Sequence, residues 1–167
     1  MQDKHSEFGI AVAVAYSNRG FVRNDLGDKQ AAIADYNKAI ELKPDLAVAY
    51  SNRGFAHYDL GDKQAAIADF SKAIALKPDD AYALYLIRGL AHDNLGDQQA
   101  AIADLSKAIE LKLDHAETYY SRGRVYSDLG DKKTALADFQ KAADLYQQKG
   151  KTEQHKNALT RIKELQP

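Results

Sequence analysis

An all-α solenoid of four helix–turn–helix units with a C-terminal capping helix is the fold class this sequence predicts. Three observations predict it. The first is a repeat: the run Asp25-Leu26-Gly27-Asp28 through Tyr36 returns from Asp59 to Phe70 and from Asn94 to Leu105, and more loosely from Asp128 to Phe139. The second is a pair of glycine series. Gly27, Gly61, Gly96 and Gly130 advance by 34, 35 and 34 residues, and Gly20, Gly54, Gly89 and Gly123 keep the same steps. The third is the scarcity of helix breakers: the only prolines in 167 residues are Pro44, Pro78 and Pro167.

The units read as about 11–44, 45–78, 79–113 and 114–148, after an N-terminal extension over 1–10. The first helix carries Ile10, Val12 and Val14 toward an edge that no earlier repeat covers. Gly27 supplies a left-handed turn, and Asp28 then caps the second helix by accepting from its free N–H groups. Pro44 cannot continue that helix and disfavours helix at Lys43, so Asp45 is expected to cap the next one. The next helix ends near Leu60. Gly61 and Asp62 open another that runs to about Leu76, and the logic repeats at Gly96-Asp97 and Gly130-Asp131.

Ala66, Phe70, Ala73 and Ile74 share one helical face, while Asp69 and Lys72 are spaced for a weak pair on another. Mid-helix glycines such as Gly54 cost about 1 kcal/mol relative to alanine, and a close helix crossing is the expected compensation. One residue is inserted between Pro78 and Arg88. A turn lengthened at Asp79-Asp80 is expected over a π-bulge within Ala81–Ile87, because π-bulges are rare. A last helix over 151–165 carries Ala158, Leu159, Ile162 and Leu165 on one stripe and polar residues elsewhere, as a solenoid cap should.

Composition excludes several functions. The net charge of −1 with no basic stripe argues against nucleic acid. No run of apolar residues is long enough to insert in a membrane, and the polar, mixed-charge start lacks a signal sequence, which favours the cytoplasm. There is no cysteine. The histidines His5, His57, His92, His115 and His155 form no metal motif and are expected to pack between helices. Asp28, Asp62, Asp97 and Asp131 recur as caps, and Asp35, Asp69, Asp104 and Asp138 recur beside the core face. Catalytic carboxylates would instead stand in distinct environments. Ser17, Ser51 and Ser121 lack a histidine–acid pair, and no phosphate loop is present. No catalytic residue, metal or cofactor is expected. Arg19, Arg53, Arg88 and Arg122 precede the mid-helix glycines, and each is expected to bind an Asp of a second helix through its planar fork.

Tyr16, Gly20, Ala32, Tyr36, Ala39 and Pro44 in the first unit resemble the signature of the tetratricopeptide repeat family. So do Tyr50, Gly54, Ala66, Phe70, Ala73 and Pro78 in the second, and Tyr119, Gly123, Tyr126, Ala135, Phe139 and Ala142 in the fourth. The Asn-Arg-Gly and Leu-Gly-Asp signatures resemble its regular bacterial, cyanobacterial-like branch. The sequence departs from the pattern where the arginine series replaces the family leucine, where Arg23, His57 and His92 replace a tyrosine, and where Leu113 replaces a proline.

The resemblance implies a right-handed solenoid whose first helices line a concave face that holds peptides. The implied lining is Val14, Ser17, Asn18, Phe21 and Asn24, then Val48, Ser51, Asn52, Phe55 and Tyr58. It continues with Ala83, Leu86, Ile87, Leu90 and Asp93, then Glu117, Tyr120, Ser121, Arg124 and Ser127. Phe21, Phe55 and Leu90 form an apolar ladder. Asn52 fits the family's clamp for a C-terminal carboxylate, but Ser17, Ala83 and Ile87 stand where its lysines and arginine belong, so that clamp is not expected. The function expected is a non-catalytic interaction module for a protein or peptide partner. The alternative is a scaffold that forms homo-oligomers through its uncapped N-terminal edge.

Overall fold

The computed structural model describes residues 7–77 and 81–166. Within them are nine helices and no strand: α1 (Glu7–Asp25), α2 (Lys29–Leu42), α3 (Ala47–Asp59), α4 (Lys63–Leu76), α5 (Tyr82–Asn94), α6 (Gln98–Leu111), α7 (Ala116–Asp128), α8 (Lys132–Gln148) and α9 (Thr152–Leu165). His5, Pro78, Asp79 and Asp80, which figure in the sequence reading, lie outside the described residues. The chain divides into two compact units, Met1–Asp80 and Ala81–Pro167. The first holds the hairpins α1–α2 and α3–α4. The second holds α5–α6, α7–α8 and the added helix α9.

Each hairpin turn is built by the glycine and aspartate that announced it. Gly27, Gly61, Gly96 and Gly130 have φ between +80° and +88°, a region that only glycine enters without strain. The next residue caps the second helix. Oδ1 of Asp28, Asp62, Asp97 and Asp131 accepts from the N–H of Ala31, Ala65, Ala100 and Thr134 at 3.0–3.2 Å. Thr134 adds its hydroxyl to Asp131, and these two bonds hold the Asp131 carboxyl below its usual range.

The links between hairpins correct two expectations. Leu46 rather than Asp45 stands at the cap position of α3. The Leu46 side chain makes no cap hydrogen bond, and Asp45 accepts from Lys43 Nζ at 2.8 Å. The chain after Pro44 turns through backbone bonds, with Leu46 N–H donating to Lys43 O and Ala47 N–H, at the start of α3, donating to Asp45 O. Asp69 does not pair with Lys72 either; it is buried and held by Arg53, whereas Lys72 is exposed.

The inserted residue leaves the helices intact. The first helices α3, α5 and α7 each have 13 residues, and α5 is α-helical throughout, opening with Tyr85 N–H to Ala81 O at 2.9 Å. The link before α5 runs over 77–81, against 43–46 and 112–115 in the other two, so the extra residue falls ahead of Tyr82 and no π-bulge forms.

In the first unit, Ala32, Tyr36, Ala39, Ala49, Ala56, Ala66, Phe70 and Ala73 are buried. The many alanines let helices approach closely, and the rings fill what remains. A Cβ on Gly54 would lie 2.7 Å from Phe70 Cε1, and one on Gly20 would lie 2.8 Å from Tyr36 Cε1. Both glycines are therefore required by the crossing of first and second helix, as their mid-helix position suggested.

In the second unit, Ala101, Leu105 and Val125 form one cluster. Ile109, Ala116, Tyr119, Ala142, Leu145, Tyr146 and Ala158 form another, which α9 completes. The stripe of α9 is shifted from the expected one. Ala158 is fully buried and Ile162 packs against the cluster, but Leu159 is 45% exposed. His155 lies on the inner side instead, its Nδ1 sharing a 2.9 Å hydrogen bond with Ala143 O. That bond ties the inner side of α9 to the backbone of α8.

Candidate functional site

The first helices carry the candidate site, and their orientation is set by four Arg–Asp pairs. Arg19 Nε and Nη2 donate to Asp35 Oδ2 and Oδ1 at 2.8 and 2.6 Å. Arg53 holds Asp69, Arg88 holds Asp104 and Arg122 holds Asp138 in the same two-point way, at 2.6–2.8 Å. All four acids are buried, with 3–6% exposure, so the pairs are structural ties between first and second helix of one repeat. This is the pairing the sequence anticipated. Arg23 joins Arg19 on Asp35, at 2.9 Å, and Arg19 foremost holds that carboxyl below its usual range. The arginines also lie over tyrosine rings: Arg19 over Tyr16, Arg53 over Tyr50 and Arg88 over Tyr85, at 5.0–5.6 Å.

With the arginine edge of each first helix fixed, another face is left to solvent. In the first unit Val14, Phe21 and Val48 are 40%, 58% and 51% exposed, and Asn18 is exposed beside them. Ser51 and Asn52 are half-buried. Phe55 is half-buried with its ring edge-on to Phe70, centroids 5.1 Å apart. Tyr58 lies under Lys63 Nζ at 3.9 Å from its ring centroid. Asn24 is half-buried, and its Oδ1 has no hydrogen-bond partner among the described residues. Ser17 departs from the expected lining. It is 3% exposed, because it falls on the α1 stripe with Ala13 and Gly20, which packs inward.

In the second unit the corresponding face carries charged residues and is more filled. Leu86 packs on the Leu105 and Val125 cluster, Leu90 and Ile87 are half-buried, and Ala83 is exposed. Tyr120 stands edge-on to Phe139, centroids 5.3 Å apart, and packs beside the α9 cluster. Arg161 of α9 shares a hydrogen bond with it. Arg124 Nη2 donates to Asp93 Oδ2 at 2.7 Å, a bridge from α7 to α5. Glu117 is exposed, Ser127 is half-buried, and Ser121 is buried. The Arg124–Asp93 bridge was missed in the sequence. Each residue was named for the face, but their pairing crosses from one repeat to the next, and nothing local signals it.

The histidines sit as packing groups. His57 Nδ1 is 3.9 Å from Asp62, and His92 lies 3.5 Å from Asp97 and 3.9 Å from Asp104. His115 is the residue before α7, and its Nδ1 shares a 3.0 Å hydrogen bond with the buried Thr118 hydroxyl. Tyr82 packs edge-on to its ring, and burial pushes its pKa below the usual value. Among the described residues no group of three or more His, Cys, Asp or Glu is arranged to hold a metal ion, and no helix is long and apolar enough to cross a membrane.

Family models described as TPR repeat and tetratricopeptide repeat match residues 20–61, 47–80, 82–115 and 116–149. Several solved structures are similar in fold. The crystal structure of MamA protein is 25% identical over 92% of this chain and 90% of that chain, with a TM-score of 0.76. YrrB, described as a TPR protein with an unusual peptide-binding site, is 22% identical over 97% and 93%, with a TM-score of 0.73. The first TPR of Spaghetti, bound to an HSP90 peptide, is 24% identical over 72% and 94%, with a TM-score of 0.68. Among curated proteins none matches significantly.

Proposed function

The chain belongs to the tetratricopeptide repeat family, and from that premise we propose that it is a non-catalytic module that holds a partner peptide or protein on the exposed face of its first helices. The observation that carries this reading is the apolar exposure of Val14, Phe21 and Val48, with Asn18 beside them. None of these side chains is among the buried core residues, and neighbouring exposed apolar residues of this kind favour a binding surface. Phe21 and Phe55 supply ring surface for an apolar side chain of the ligand. Asn18 and Asn52 supply paired donors and acceptors for its backbone. In the second unit, Leu90, Tyr120 and Arg124 lie on the first helices α5 and α7. There Arg124 is already held by Asp93, so it offers a positioned cation rather than a mobile one. One solved structure of the same fold is bound to a peptide and another is described as having a peptide-binding site, which supports the class of partner.

A peptide array probed with the intact protein should return ligands, and Phe21→Ala should weaken them at least about tenfold, as truncating an aromatic anchor does. Phe21 is largely exposed, so this variant should melt like wild type. Ligands that bind the Phe21→Ala, Phe55→Ala, Leu90→Ala triple variant as well as wild type would reject this face.

A further inference from the structure

α1 and α3 hold equivalent places one repeat apart, yet one face of α1 is open where that of α3 is closed. On α3, Ala49 and Ala56 are fully buried, and Ala56 packs on Ala32 and Tyr36 of α2. In the second unit the same position is Val125, 1% exposed, against Ala101 and Leu105 of α6. The α1 counterparts are Ala15, which is exposed, and Val22, which is 55% exposed.

The arginines repeat the contrast. Arg53 spends its third donor on the preceding second helix, Nη1 to Asn37 Oδ1 at 2.6 Å, and Arg122 does the same with Ser106 Oγ at 2.9 Å. Arg19 binds Asp35 as its relatives bind their acids, but its Nη1 makes no further hydrogen bond among the described residues, and its side chain is 54% exposed against 21% and 19%. A depression of about 190 Å³ lined by Val12, Ala15, Tyr16 and Arg19 opens on this face.

The two covered seams define what fits. Each is formed by a helix with an alanine, a tyrosine or leucine four residues later, and an Asn or Ser directly after that: Ala32, Tyr36 and Asn37 in one, Ala101, Leu105 and Ser106 in the other. We propose that the open face of α1 docks an amphipathic helix of a partner protein carrying this pattern. The large apolar residue covers Val22, and the Asn or Ser oxygen accepts from Arg19 Nη1. A second copy fits this face poorly. Pairing α1 with α1 would oppose two Arg19 guanidiniums, and α9 exposes Lys156, Arg161 and Lys163 rather than an apolar stripe.

The probe is a labelled peptide with the sequence of residues 28–43, titrated with the intact protein by fluorescence anisotropy. Saturable binding is expected. Val22→Asp should weaken it at least tenfold while the melting curve stays that of wild type, and Leu159→Ala, on exposed α9 surface, should leave it unchanged. Replacing the peptide's Asn with Leu should weaken binding severalfold to wild type and have no effect on an Arg19→Met protein. Absence of binding at millimolar peptide, binding indifferent to Val22→Asp, or an Asn effect that persists with Arg19→Met would overturn the proposal. So would sedimentation showing that the protein alone forms dimers that Val22→Asp dissociates, which would assign the face to a second copy.

Discussion

Tyr36→Phe should stabilise this protein. Tyr36 is fully buried, and its hydroxyl has no hydrogen-bond partner among the described residues. Its ring is clamped beneath Gly20, where even an added Cβ would come within 2.8 Å of Cε1, so the hydroxyl cannot swing out to water without moving α1. A buried hydroxyl left unpaired costs about 1–3 kcal/mol in protein mutational data. The same slot holds Phe70 and Phe139 in two other repeats, both at most 1% exposed, so the phenyl ring itself fits. Removing the oxygen should therefore raise the unfolding free energy by about 1 kcal/mol or more, which for a chain of this length is about 2–4 °C in melting temperature per kcal/mol.

Urea and thermal unfolding followed by circular dichroism would measure the gain, and Phe70→Tyr should show a loss of similar size. The alkaline limb gives an independent check. Burial, aided by the Asp35 charge, pushes Tyr36 up to about 12, above its unfolded value near 10. The folded state keeps a proton that the unfolded chain releases, so stability is full below about pH 10 and falls as pH rises toward 12. That loss should be shallower in Tyr36→Phe. A Tyr36→Phe protein less stable than wild type at neutral pH would refute the reasoning, because the hydroxyl would then be satisfied in the fold.

Two further predictions concern charge. Arg53→Met should cost about 3–5 kcal/mol, because it strands the buried Asp69 carboxylate, whereas Arg19→Met should cost clearly less, since Arg23 still holds Asp35. Paired urea titrations would show the difference, and equal losses would contradict it. His115 is depressed by burial, so the folded state resists protonating it. Stability should be full above the unfolded value of about 6.5 and should fall as pH drops through the folded value. His115→Gln, which keeps a partner for Thr118, should flatten melting temperature against pH across that range, and an unchanged slope would remove His115 as its source.

How much of this was legible in the sequence depends on the range of the physics. The hairpins were, because a glycine at positive φ followed by an aspartate cap acts within one turn of chain, and Gly27-Asp28 or Gly61-Asp62 spells that out. The Arg–Asp ties were also legible. Both partners recur with the repeat, so Arg53 and Asp69 could be matched without knowing the crossing angle. The lining of α1 was implied by the family resemblance, although not which members turn inward: Ser17 is buried and Phe21 exposed because packing against α2 fixes the rotation of α1.

What only the tertiary structure decided are the contacts between elements that no local pattern encodes. Leu46 took the cap position expected of Asp45, which binds Lys43, and the Arg124–Asp93 bridge joined two repeats. His155 rather than Leu159 turned toward α8. The Tyr36 hydroxyl finds no partner among the described residues, and Arg19 keeps a donor that Arg53 and Arg122 spend on a neighbour. Helix period, turns and caps are set by a few adjacent residues and recur with every repeat. The partner of a given side chain is set by how helices from different parts of the chain meet, and that is fixed only when the whole core packs at once.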